Sequence, residues 1–174
     1  MRKVSALAAF GCLLVLLSAC GVSVGPHSTL SAPSLAHEIS SQLAKDYQMD
    51  EAPTVTCPAG VQASKGTTFV CTTVIDDQPL GLDGTVTGSN GEYRVVPRDA
   101  VIHIPVLEEY LTNSIDQKTG VRPKTVECGD REFAVVAVLG TITCSATFPG
   151  SPRAQKVITT VVGKDGSVEY DLLS

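Results

Sequence analysis

Apolar residues recur along this chain at two spacings, and the two spacings alternate twice. Leu35, Ile39, Leu43 and Tyr47 step by four, which places them on one face of a helix. Ser34, just after Pro33, is the expected N-cap. Leu107, Leu111 and Ile115 repeat the step, and Val106 and Tyr110 widen that stripe. Pro105 suits a first helical turn and Gly120 a helix stop. Each stripe is expected to cover the sheet of its own repeat. After each helix the pattern changes to strand. Residues 67–75 are rich in β-branched side chains, and Asp76-Asp77-Gln78-Pro79 turns the chain. Residues 82–87 and 92–96 flank Asn90-Gly91, a type I′ hairpin signal, and 157–162 and 168–172 flank Asp165-Gly166 in the same way.

The order is therefore an internal repeat. Val55-Thr56-Cys57 matches Val126-Glu127-Cys128, and the run from Val61 to Gly66 matches that from Val135 to Gly140. A cysteine follows in each copy, Cys71 and Cys144, and residues 85–93 recur as 160–170, each run ending on a tyrosine, Tyr93 and Tyr170. The growing offset places small insertions around 129–133 and 149–153 of the second copy. The expected fold is α+β: two tandem repeats, each one helix packed on a small antiparallel sheet, helix then four strands, closed by one disulfide. Cys57, Cys71, Cys128 and Cys144 permit three pairings, and the repeat selects Cys57–Cys71 with Cys128–Cys144. A copy of about 65 residues has a marginal core without a staple. A bridge across about 15 residues contributes roughly 3 kcal/mol in the chain-entropy account.

The N-terminus has its own pattern. Arg2 and Lys3 precede an apolar run of 14 residues, Val4 to Leu17, which is shorter than the roughly 20 needed to cross a bilayer. Leu17-Ser18-Ala19-Cys20-Gly21 then resembles the lipobox of bacterial lipoprotein signal peptides. That resemblance implies cleavage before Cys20, a diacylglycerol on its thiol, and anchoring to the outer, extracytoplasmic face of the cell membrane through the lipid. The chain divides accordingly into a signal peptide (1–19), a lipidated N-terminus and flexible tether (20–33), a first repeat (34–97), and a linker with the second repeat (98–174). Residues 97–101 are expected to connect the copies.

Charge narrows the partners. Removing the signal lowers the 13 basic residues to 11 against 18 acidic, a net charge of −7, which argues against a nucleic-acid binder. Candidate chemistry is sparse. His27 falls in the tether, His37 on the surface of the first helix and His103 in a loop before the second. Asp76-Asp77 and Glu108-Glu109 are neighbouring acids, expected to be solvated. No nucleophile elbow, H-E-x-x-H, phosphate loop or C-x-x-C is present. No enzyme activity, no metal and no cofactor is expected.

The repeat resembles an actinobacterial domain of unknown function found in mycobacterial-type lipoproteins. Val55, Cys57, Pro58, Gly66, Cys71, Asn90, Gly91 and Tyr93 carry the resemblance in the first copy. Val126, Cys128, Gly140, Cys144, Asp165, Gly166 and Tyr170 carry it in the second, where Gly129 replaces the proline. That family supplies no catalytic residues to transfer. The expected role is a tethered, non-catalytic binding module for another envelope protein or wall component, acting through a sheet face or the groove between repeats. The alternatives are a tethered protein inhibitor, on an architecture similar to secreted β-lactamase inhibitor proteins, or a small-molecule or lipid carrier.

Overall fold

A computed structural model describes residues 28–173. Cys20, His27 and the signal segment lie outside the described residues. The first repeat contains β1 (Thr29–Leu30), α1 (Ala32–Tyr47), β2 (Val55–Thr56), β3 (Val61–Gln62), β4 (Thr68–Ile75), β5 (Gln78–Val86) and β6 (Tyr93–Pro97). The second contains β7 (Ala100–His103), α2 (Ile104–Thr119), β8 (Thr125–Glu127), β9 (Phe133–Val136), β10 (Thr141–Thr147), β11 (Gln155–Val161) and β12 (Val168–Leu173). Each repeat has a four-stranded antiparallel sheet, ordered β2-β4-β5-β6 and β8-β10-β11-β12, and one helix. The α+β reading of two disulfide-closed repeats holds.

Alternation drives the sheets. Along β4, Phe69, Cys71, Thr73 and Ile75 point inward while Thr68, Val70, Thr72 and Val74 face solvent. The helix stripe Leu35, Ile39 and Leu43 is buried over that inner face, and Leu107, Leu111 and Ile115 do the same in the second repeat. Both disulfides form, Cys57–Cys71 and Cys128–Cys144, joining the end of the short edge strand to the adjacent long strand. Neighbouring ladder pairs, Thr56 with Thr72 and Glu127 with Ser145, place the two cysteines of each bridge opposite one another.

The sequence pattern missed a two-stranded ribbon in each repeat. A strand precedes each helix and pairs with a short segment beyond it: β1 with β3, and β7 with β9. The fold therefore begins by Thr29, inside the stretch read as tether, and Ser28 accepts a hydrogen bond from the Ala63 amide at 2.8 Å. Ala100 and Val101, read as linker, belong to β7, so only Arg98 and Asp99 join the repeats. Strands of two residues in the first ribbon and four in the second are too short to set a period apart from their neighbours, which is why these ribbons were illegible.

The cap and turn readings change in detail. Ser31 holds the N-cap position of α1, without a side-chain cap hydrogen bond, and Pro33 in the first turn leaves Ser34 inside the helix. The loops at Asn90-Gly91 and Asp165-Gly166 are not type I′ turns, since only the glycines take positive φ, 80° and 84°. The two-residue primed geometry occurs instead at Asp76-Asp77, with φ of 45° and 61° and Ile75 opposite Gln78. Phe133, read as loop, opens β9.

The ribbon β7–β9 decides how the repeats meet. Its side chains alternate between two cores. Val101, Phe133 and Val135 join the core of the first repeat, while Ala100, Ile102, Ala134 and Val136 join that of the second. The repeats thus keep separate cores with one shared wall. Side chains seal the seam. Asp76 Oδ2 accepts the amides of Glu132 and Phe133 at 2.9 and 2.8 Å. Gln78 donates to the Phe133 carbonyl at 3.0 Å and accepts from the Val135 amide at 3.1 Å. Arg131 also donates to the Asp76 carbonyl oxygen.

Candidate functional site

The junction of the repeats leaves a cleft of about 590 Å³ between the C-terminal end of α1, the start of α2 and the loop before β12. Tyr47 and Gln48 enter it from α1, Val106 and Tyr110 from α2, and Asp165 from the loop, over a floor that includes Val101 and Ile102. Val106 and Tyr110 are 58% and 46% exposed. They were expected to widen the core-facing stripe, but a helix offers only one face to its sheet, and they stand one position to its side. Their equivalents in α1 are Ser34 and Glu38, so this apolar step is peculiar to the second repeat. That difference between the copies was the signal the sequence held.

The backbone around the cleft is unusual. Helix α1 ends at Gln48 in the left-handed region, φ 54°, where α2 has Gly120 at 71°. The Gln48 amide caps the Ala44 carbonyl, and the residue lines the cleft. Burial raises the Tyr47 hydroxyl above its ordinary pKa, and the adjacent Asp46 carboxylate adds to the shift. Hydrogen bonds from Ser167 hold the Asp165 carboxyl below its ordinary value. Among the described residues lining the cleft there is no lysine or arginine.

A second hollow of about 940 Å³ lies along the other flank of α1, toward β6, and shares Asp46 and Tyr47 with the cleft. Tyr93 crosses it, donating to Glu38 Oε2 at 2.6 Å. Burial, then the hydrogen bond and charge of Glu38, raise the Tyr93 hydroxyl well above its ordinary range. Tyr93 and Tyr170 are not equivalent: Tyr93 pairs with Val86 and Tyr170 with Thr159, two positions apart in the repeat frame.

The other residues singled out from sequence fall into structural places. Cys57, Cys71, Cys128 and Cys144 are bridged and remote from the cleft lining. His37 is exposed on α1. His103 is not in a loop: it ends β7, stacks on Phe133 at 4.8 Å between centroids, and lies 3.8 Å from Glu132. Neither acid pair is merely solvated. Asp76 clamps the seam, and Glu108 Oε1 accepts the Cys128 amide at 2.7 Å. Among the described residues no cluster of three potential metal ligands occurs, and no helix is long and apolar enough to cross a membrane.

The fold and cleft define a class: a tandem α+β module with one disulfide per repeat and a groove where the repeats meet. Residues 15–91 match the model of a family described as a domain of unknown function, DUF4333. The match covers the first repeat up to Gly91 and includes its disulfide, so this part of the chain is similar to a disulfide-linked domain of unknown function. No curated protein and no solved structure matches the chain.

Proposed function

We propose that the chain is an actinobacterial cell-envelope lipoprotein, anchored through Cys20 to the extracytoplasmic face of the plasma membrane. Its two repeats act there as a non-catalytic binding module for another envelope component. The sequence Leu17-Ser18-Ala19-Cys20 supports the anchor. One structural observation carries the binding reading: an apolar step, Val106 and Tyr110, left exposed at the mouth of the junction cleft. Large apolar side chains held in a concave site, with polar groups at the rim, are what a recognition surface needs.

In-cell crosslinking followed by pull-down of the lipidated protein tests this reading, with Cys20→Ala as the control that loses the anchor. One partner recovered reproducibly, and lost when Val106→Asp is introduced, is the expected result. A partner that is an enzyme would turn the role into inhibition. Recovery indifferent to Val106→Asp, with the variant folded, removes the cleft from the account.

A further inference from the structure

We infer that the junction cleft takes a cationic side chain carried on an apolar segment of the partner protein. The inference rests on the binding-module reading above and specifies the chemistry of the occupant. Three features of different origin converge on it. The cleft walls carry two aromatic rings, Tyr47 and Tyr110, which attract a cation over their faces. Two carboxylates, Asp46 and Asp165, stand at its rim. The Asp165 carboxylate accepts the Ser167 amide at 3.2 Å, which holds its pKa below the ordinary value. The C-terminal end of α1, the negative end of the helix dipole, opens into the same space at Tyr47 and Gln48.

No lysine or arginine of the described lining opposes them. The remaining titratable group, His103, is turned to the Phe133 ring and to Glu132. The acidic character continues past the seam. A neighbouring hollow of about 540 Å³ is lined by Asp50, Glu51, Asp76 and Glu132, with Arg131 beside it held on the Asp76 carbonyl. Val106 supplies the apolar surface against which the flanking residues of a bound segment would lie. Rings, carboxylates and a helix C-terminus together favour a positive group, and Val106 selects apolar neighbours for it.

The test uses the full chain, lipidated and purified in a neutral detergent. Its probes are three acetylated peptides of alternating leucine with arginine, citrulline or glutamate. The arginine peptide is expected to bind, the citrulline peptide at least tenfold more weakly, and the glutamate peptide not at all. Affinity for the arginine peptide is expected to fall as salt rises. Asp165→Asn keeps the acceptor for Ser167 and so the turn, and should weaken arginine binding roughly threefold, the scale of an exposed charge pair. Asp165→Lys should narrow the preference for arginine over glutamate, a change that loosened packing alone would not produce. Equal binding of arginine and citrulline peptides overturns the inference while leaving a binding cleft. Failure of all three peptides, with a Val106-dependent partner still recovered from cells, also overturns it and leaves the binding-module reading standing.

Discussion

At the residue scale, the repeats solve the same packing problem with different pairs. Phe69 lies directly opposite Gly84, and the equivalent pair in the second repeat is Ile142 opposite Thr159. A Cβ on Gly84 would stand 2.2 Å from the Phe69 ring, so glycine is required by volume. Gly84→Ala should cost about 1–3 kcal/mol, the usual scale of overpacking, and pairing it with Phe69→Ile should recover most of the loss in urea unfolding. Thr159 is fully buried and its hydroxyl has no hydrogen-bond partner among the described residues. Thr159→Val keeps the shape without the polar atom and should raise stability by about 1 kcal/mol, read from the denaturation midpoint. Hydrogen bonds also reassign a glycine. Gly66 at φ 90° donates to the Val86 carbonyl, and the residue in its place is Leu139 at φ 70°, which donates to the Val161 carbonyl. The sequence match had paired Gly66 with Gly140, because a leucine in the left-handed region is rare.

At the scale of the element, each repeat is a helix held over a thin sheet by a staple and a few polar contacts. Cys57→Ser or Cys71→Ser opens a loop of 14 residues and should lower stability of the first repeat by roughly 3 kcal/mol. Amide exchange would show that loss in β2 and β4 before any in β8 and β10. Unchanged thermal unfolding of either variant would refute the assignment. The bond from Tyr93 to Glu38 ties β6 to α1. The raised folded-state pKa of Tyr93 means that the folded protein keeps this proton longer than the unfolded chain. Its stabilisation is therefore complete below the unfolded value of 10.0 and is lost as pH rises through the folded value. Stability should decline on the alkaline side, and Tyr93→Phe should make that decline shallower in urea titrations taken on both sides of the unfolded value.

At the scale of the whole molecule, the ribbon β7–β9 makes the two repeats one body. Its outer face, Val101 and Val135, closes the first core, whereas the same positions in the first ribbon are Thr29 and Gln62, both exposed. The first ribbon thus presents Thr29 and Gln62 to solvent where the second ribbon packs on a core. Asp76→Ala together with Gln78→Ala removes the side-chain clamp on β9. The intact protein is expected to unfold in one cooperative transition, which the double variant should separate into two in differential scanning calorimetry. A single unshifted transition would place the coupling in Val101, Phe133 and Val135 alone.

The amino-acid sequence by itself determined the repeat, both helices, the long strands and both disulfides. It could do so because those features are written locally, as a step of four, a step of two, and cysteines in matching positions. It also held the N-terminal pattern on which the anchor at Cys20 is proposed. Only the tertiary structure decided the paired ribbons, the shared wall and the cleft. Residues such as Val101 and Gln78, distant along the chain from the groups they meet, carry no local signature of those contacts. Val106 and Tyr110 show the limit most plainly. Their helical spacing is visible in the chain, but whether that face meets a sheet or an open cleft depends on where the first repeat stands.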